Sequence, residues 1–177
     1  MSIILNACLV PEARYADKLV WLSSVIASRD ESRFVLGEAS VPHATVVQFE
    51  TTSEPEKIIR TLEPMRVRRG IELTAAGLAL LPTPEGDVWQ EVAILKKRML
   101  ADLQAEILRI LGGEIKAVIN GVDDMYRPHF TVGLTKMQAA GYALSELPHE
   151  VLRAADISCT LHVGLTGDSY QVTRLLS

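Results

Sequence analysis

The sequence has little cysteine, few aromatic residues and no long apolar run. Two cysteines among 177 residues, Cys8 and Cys159, do not make a disulfide framework. A chain of this length buries roughly two-thirds of its unfolded surface, so one core is expected to hold it together without disulfides or metal. No apolar run reaches the roughly 18 residues that a membrane span requires. These absences predict a cytoplasmic protein with free thiols and no membrane partner.

A large excess of either charge is also missing. Eighteen Lys and Arg stand against 22 Asp and Glu, which gives a formal net charge of -4. The balance is similar in the two halves, so neither is a basic arm, and the counterion release that binds basic proteins to long nucleic acid is absent. We therefore expect no long DNA or RNA partner, whereas a small anionic ligand agrees with the composition.

Apolar periodicity predicts a mixture of strands and helices. Helices are predicted at 15–26, 53–62, 100–111 and 136–147. Strands are predicted at 3–10, 34–36, 42–49, 71–73, 78–81 and 128–134, and 157–165 with 171–176 form a hairpin that turns at 167–169. Residues 87–95 fit either a strand or a backward extension of the helix, because Asp87 and Gln90 imitate a capping box.

An internal repeat favours the strand for 87–95. Sliding the chain by 86 residues aligns 42–46 with 128–132, aligns the first helix with 97–112, and sets Ile4 opposite Gln90. Two copies of one α+β unit are therefore expected to pack about a pseudo-twofold axis, as the two lobes of a single domain that covers 1–177.

The repeat carries the chemistry of the chain. Two of the four histidines lie in the pattern Pro-His-x-Thr-Val, as His43 with Thr45 and His129 with Thr131. Strand alternation projects each His-Thr pair from one face of its strand. Two imidazoles with ordinary pKa values near 6.5 can divide the acid and base roles around a phosphodiester. The Thr hydroxyls can donate to its nonbridging oxygens.

The two motifs resemble those of the two-histidine (2H) phosphoesterase superfamily, the LigT-like or 2'-5' RNA ligase-like proteins. The resemblance implies a bilobal pseudo-twofold α+β fold, with two antiparallel-type sheets lining a central cleft and helices on the outside. It implies hydrolysis of 2',3'-cyclic or 2'-5' phosphodiesters of nucleotides or RNA ends, without metal or cofactor. It also implies that His129 is the general base toward water and His43 the general acid toward the leaving oxygen, with the roles exchanged in ligation.

One departure from this pattern concerns substrate binding. Many LigT-like members carry a basic residue shortly after the second motif, whereas here Gly133 and Leu134 follow, and Lys136 is the nearest cation. Arg127 can supply the missing charge from the other side of the motif if the Pro128 kink is mild. Arg127 and Lys136 are therefore predicted to contact the phosphate.

Three aromatic residues are candidates for stacking on a nucleobase. Tyr126 has the best case because it lies three residues before His129, and Trp89 and Tyr170 are the others. Ordinary packing is the alternative for each of them.

Alternative functions remain open at this point. The acidic balance and the missing cation favour a noncatalytic module that binds nucleotides or RNA ends, and the same groups would serve an RNA 2'-5' ligase. A structural interaction domain is a third possibility. A metal site is not expected, because each motif offers one nitrogen and no carboxylate or thiolate at ligand spacing.

Overall fold

Eight antiparallel strands form one sheet, and three α-helices accompany it in the described part of the chain. The computed structural model describes residues 2–28, 32, 35–66, 70–95, 97–137, 147, 153–167 and 170–177. The helices are α1 (Ala13–Ala27), α2 (Pro55–Arg66) and α3 (Lys97–Leu111). The strands are β1 (Ile3–Pro11), β2 (Ala44–Thr51), β3 (Ile71–Pro82), β4 (Asp87–Ile94), β5 (Ala117–Val118), β6 (His129–Lys136), β7 (Ala155–Thr166) and β8 (Val172–Leu175).

Six of the strands close into a ring. Each of β1, β2, β6, β4, β3 and β7 is hydrogen-bonded to the next, and β7 also pairs with β1. The short strands β5 and β8 extend the sheet from β2 and β7. The expectation of two separate sheets is therefore wrong, because the two halves of the chain hydrogen-bond to each other at β2–β6 and at β3–β7.

The register reveals the internal repeat. Ala44 pairs with Phe130, and these positions differ by 86, the offset that aligns the two motifs. On the other side of the ring β3 pairs with β7, from Ile71 opposite Cys159 to Ala75 opposite Ala155. Both pairings join the first half of the chain to the second.

The offset changes along the chain. Ile4 lies opposite Glu50 in β1–β2, and Asp87 lies opposite Lys136 in β4–β6. Since Glu50 and Lys136 are 86 apart, Ile4 corresponds to Asp87, and the alignment of Ile4 with Gln90 is wrong by three residues. Connecting segments of unequal length separate the elements, so no single offset can align them all.

A β-bulge interrupts β2 and β6 at equivalent points. The register of β1 on β2 skips Val46, and that of β4 on β6 skips Val132. A bulge inserts one unpaired residue and breaks the alternation of side chains. The Val46 carbonyl accepts hydrogen bonds from Gln104 Nε2 on α3 at 2.8 Å and from Asn120 Nδ2 at 3.1 Å. The changed alternation brings Gln48 to the same face as the first motif.

The strands β2 and β6, which carry the two His-x-Thr motifs, are the motif strands. The first helix of each half of the chain packs on the motif strand of the other half. Helix α1 contacts β6, and α3 contacts β2. The buried face of α1 carries Leu19, Leu22 and Ile26, and that of α3 includes Leu100 and Ile107. The motif strands are therefore covered by apolar side chains on one face and left open on the other. None of the described helices is long and apolar enough to cross a membrane.

Most predicted elements are present, with changes at their ends. Residues Asp87–Ile94 form a strand, as the repeat indicates, and Leu95 lies just beyond it. The patches 71–73 and 78–81 belong to one strand, because Gly77 adopts a left-handed φ of 67° beside a bulge and lets the strand continue.

The predicted helix 136–147 does not begin at its first residue. Lys136 ends β6, because it pairs with Asp87 in the ladder. The predicted strand 34–36 is wrong at Val35 and Leu36, which are not in a strand. Residues 138–146 lie outside the described part of the chain, as do Phe34 and the turn residues 168–169.

Candidate active site

The two motifs line one cavity of about 230 Å³ beside the junction of β2 and β6. His43, Thr45, His129 and Thr131 all contribute to it. The surrounding side chains are Gln48, Trp89, Glu91, Asn120, Arg127, Tyr170 and Gln171. The volume is below the about 300–1,000 Å³ typical of ligand pockets, which suits a small ligand or one unit of a longer one.

The same backbone contact orients both imidazoles. His43 Nδ1 lies 2.7 Å from the Val41 carbonyl oxygen, and His129 Nδ1 lies 2.7 Å from the Arg127 carbonyl oxygen. A carbonyl oxygen only accepts, so Nδ1 must carry a hydrogen in each ring. Nε2 is therefore the nitrogen that gains or loses a proton, and it is the same nitrogen in both histidines.

The two histidines differ in burial and in charged neighbours. His43 is 6% exposed, whereas the His129 side chain is 27% exposed. Burial lowers the pKa of His43 from its ordinary value near 6.5 to about 4, the Val41 hydrogen bond opposes this, and nearby His129 adds to it. His43 is therefore neutral at pH 7.

A carboxylate with no counterpart in the other half lies beside His129. Glu91 Oε1 is 3.3 Å from His129 Nε2, and both carboxylate oxygens bind the Arg127 guanidinium, at 3.1 and 2.8 Å. Glu91 lies opposite Thr131 in β4–β6, at the position that Cys8 occupies opposite Thr45. The cavity is therefore symmetric in its motifs and asymmetric in its charges.

The Thr45 hydroxyl is oriented by a buried amide. Asn6 Nδ2 donates to Thr45 Oγ1 at 2.9 Å. Because this bond occupies an acceptor position of the hydroxyl, its own hydrogen is available to donate elsewhere. Asn6 is fully buried, and its Oδ1 has no hydrogen-bond partner. Such an unpaired buried oxygen is uncommon in proteins, and its burial costs free energy.

Two of the four predicted substrate-binding residues line the cavity, and two do not. Trp89 and Arg127 line the cavity. Lys136 does not, and its ammonium group lies 2.6 Å from Asp87 Oδ1. Tyr126 is 3% exposed and its hydroxyl donates to the Thr45 carbonyl oxygen at 3.0 Å, so its ring is packed under β2 rather than offered to the cavity. It contributes to a smaller neighbouring cavity of about 140 Å³.

Several side chains of the cavity were not predicted from the sequence. Glu91, Gln48, Asn120 and Gln171 belong to no repeated motif. Glu91 and Gln48 reach the cavity through strand register and the bulges, whereas Asn120 and Gln171 lie outside the strands, after β5 and before β8. One signal was present for Glu91, which is a charged residue inside a predicted apolar strand. Gln48 is held by its amide, which donates to the Tyr170 carbonyl oxygen at 2.8 Å.

Comparison with known proteins adds no family assignment. No protein-family model matches the chain, and no curated protein matches it significantly. Within the described residues no group of three or more His, Cys, Asp and Glu side chains has an arrangement that could hold a metal ion. Function is therefore inferred from the cavity itself.

Proposed function

We propose that the protein is a metal-independent phosphodiesterase of the 2H phosphoesterase type, with the bilobal pseudo-twofold arrangement of that superfamily. Its substrates are 2',3'-cyclic or 2'-5' phosphodiesters of nucleotides or RNA ends. The observation that carries the proposal is the convergence of His43 and His129, each with Nδ1 on a backbone carbonyl, in one cavity with Thr45 and Thr131.

The difference between the imidazoles favours one assignment of roles. A general base must be unprotonated before the reaction, and burial keeps His43 neutral at pH 7 by lowering its pKa to about 4. His129 faces the Glu91 carboxylate with Nε2, where an N–H group can donate. We therefore infer that His43 is the base and His129 the acid, which reverses the roles that the family resemblance implies.

The hydrolytic step follows from these roles. A water molecule gives its proton to His43 Nε2 as its oxygen forms a bond to phosphorus. The bond from phosphorus to the leaving ribose oxygen breaks, and that oxygen takes the proton of His129 Nε2. The products are a phosphomonoester and a free hydroxyl. One proton has entered His43 and one has left His129, and exchange with solvent restores both.

The remaining cavity groups stabilise charge and position the nucleoside. The Thr45 hydroxyl, oriented by Asn6, donates to a nonbridging oxygen whose charge grows in the transition state, and Thr131 is the equivalent donor of the other half. The Arg127 guanidinium, held by Glu91, can donate a hydrogen bond to the phosphate. Trp89 offers an aromatic surface to a base, since stacking accepts any base.

A product-resolved screen tests the proposal. Wild type, His43→Ala, His129→Ala and the control His162→Ala are incubated with 2',3'-cyclic nucleotides and with 2'-5' oligonucleotides, with and without EDTA. His162 is a suitable control because it does not line the cavity and binds Ser177 instead. Turnover should fall about a hundredfold or more in both cavity variants, remain in the control, and be insensitive to EDTA.

The same screen distinguishes the alternatives. Turnover that persists in both cavity variants would contradict the proposal, and loss of turnover with EDTA would favour a metal-dependent reaction. Nucleotide binding without turnover in the wild type would support the noncatalytic binding module instead.

A further inference from the structure

A buried carboxylate is an unexpected group in a cavity that is proposed to bind phosphate. The Glu91 side chain is 5% exposed, and it lines the same cavity as the two motifs. Its negative charge repels an anionic ligand in the same cavity, because like charges repel. The position of Glu91 is fixed by two contacts. Arg127 binds both of its carboxylate oxygens, and β4 holds its backbone opposite Thr131.

The charges of the cavity nearly cancel. Its charged or titratable lining residues, within the described chain, are His43, Glu91, Arg127, His129 and Tyr170. Arg127 and Glu91 neutralise each other as an ion pair. Burial keeps His43 neutral at pH 7, since its pKa is lowered to about 4. The net positive charge available to a ligand is therefore at most one, on a protonated His129.

Substrate and product of a phosphodiesterase differ in charge. A phosphodiester carries one negative charge. A phosphomonoester has a second pKa near 6 and carries about -1.5 to -2 at pH 7. A cavity with at most one net positive charge matches the first ligand and leaves the second with uncompensated charge beside Glu91.

We propose that Glu91 is a specificity residue, which makes the cavity favour singly charged phosphodiesters over doubly charged phosphomonoesters and so promotes release of the product. This inference rests on the proposed function, because it concerns the same cavity and the same phosphate. Glu91 weakens the binding of both phosphate ligands, and it weakens that of the doubly charged monoester more. Its removal should therefore tighten the binding of both ligands, and tighten that of the monoester more.

The size of the effect follows from Coulomb's law. For unit charges about 5 Å apart in a water-like dielectric, removal of the Glu91 charge strengthens binding about fourfold for each ligand charge. A monoanion then binds about fourfold more tightly and a dianion about sixteenfold, so the ratio of the two dissociation constants shifts about fourfold toward the monoester.

Calorimetric titration with a matched pair of ligands measures that ratio. The probes are 2'-deoxyadenosine 3'-monophosphate and its methyl ester, which lack a neighbouring hydroxyl and differ in one negative charge at pH 8. The proteins are wild type, Glu91→Gln, which keeps the shape and loses the charge, and Glu91→Asp, which keeps the charge. Titrations at pH 8 and pH 5 provide an internal control, because the monoester is mostly a monoanion at pH 5.

At pH 8 we expect the ratio to shift toward the monoester in Glu91→Gln and to stay near the wild-type value in Glu91→Asp. At pH 5 the shift should disappear. An unchanged ratio in Glu91→Gln at pH 8, or the same shift at both pH values, overturns the inference. Absence of binding of either ligand to wild type overturns both the inference and the proposed function. Selective binding without turnover of any diester overturns the proposed function, and with it the role in product release, but leaves the charge selectivity of Glu91 supported.

Discussion

Ala44 and Phe130 pair with each other across the β2–β6 junction, and each follows one of the cavity histidines. In an antiparallel pair, the positions on either side of this bridge bring His43 toward Thr131 and Thr45 toward His129. Directly opposite side chains on one face have Cβ atoms about 4.5–5.5 Å apart. Each histidine is therefore a neighbour of the other half's threonine, and neither half alone forms the site.

The first prediction concerns acid stability and follows from the burial of His43. Its pKa is about 4 in the folded protein and near 6.5 when exposed. The unfolded chain therefore binds a proton here that the folded chain does not, so stability falls as pH drops from about 6.5 to about 4. The loss over that interval is about 3 kcal/mol from this group. Above pH 6.5 the contribution is fully present.

Urea unfolding of wild type and His43→Asn at pH 7 and pH 4.5 measures this effect. Other titrating groups are common to both proteins, so the difference between their pH dependences isolates His43. The variant should lose less stability than wild type on acidification. Equal losses in the two proteins would mean that His43 is not protected from protonation in the fold.

The second prediction concerns Asn6 and Thr45. Removal of the amide in Asn6→Ala leaves the Thr45 hydroxyl free to rotate, so kcat should fall while KM changes little. We expect a loss of about tenfold, the rate equivalent of a net hydrogen-bond energy of about 1–1.5 kcal/mol.

A double-mutant cycle with Thr45→Val separates this positioning role from a merely structural one. If Asn6 acts through Thr45, the double variant is no slower than Thr45→Val alone. Multiplying rate losses would show that the two residues act independently. Thermal unfolding of each variant identifies losses that come from destabilisation.

The motif residues could be predicted from sequence because they follow local rules. Strand alternation sets His43 and Thr45 on one face, and the repeat extends this to His129 and Thr131. Glu91 and Asn6 could not be predicted in this way, because they lie on partner strands. Their proximity to the motifs depends on register and on the bulges at Val46 and Val132, which a single sequence does not specify.

The third prediction separates two aromatic residues that the sequence offers as candidates for stacking on a base. Trp89 lines the cavity, whereas the Tyr126 ring is buried beneath β2. Trp89→Ala should raise KM for a nucleotide substrate about tenfold, the equivalent of a stacking loss at the low end of about 1–3 kcal/mol. Tyr126→Phe keeps the buried ring and loses the bond to the Thr45 carbonyl, so KM should stay near the wild-type value. A larger rise of KM in Tyr126→Phe than in Trp89→Ala would contradict this division.

The fourth prediction concerns the bulge that orients the first motif. Gln104 is 2% exposed, and its Nε2 donates to the Val46 and Gly121 carbonyl oxygens at 2.8 and 3.1 Å. Gln104→Leu removes both donors while it fills the same space. Loss of two hydrogen bonds, each with a net value of about 0.5–1.5 kcal/mol, should lower the free energy of unfolding by about 1–3 kcal/mol, while Asn120 Nδ2 still donates to both carbonyl oxygens.

Gln104→Glu is the informative comparison, because a carboxylate has the same shape as the amide but cannot donate when ionised. It should be less stable than Gln104→Leu at pH 8, since it sets a buried charge against two carbonyl oxygens, and should recover part of the difference at low pH as the carboxylate gains a proton. Chemical denaturation of the three proteins at both pH values decides this. If both variants kept wild-type stability, the Val46 bulge would not depend on α3 for its hydrogen bonds, and α3 would contribute only apolar packing to the motif strand.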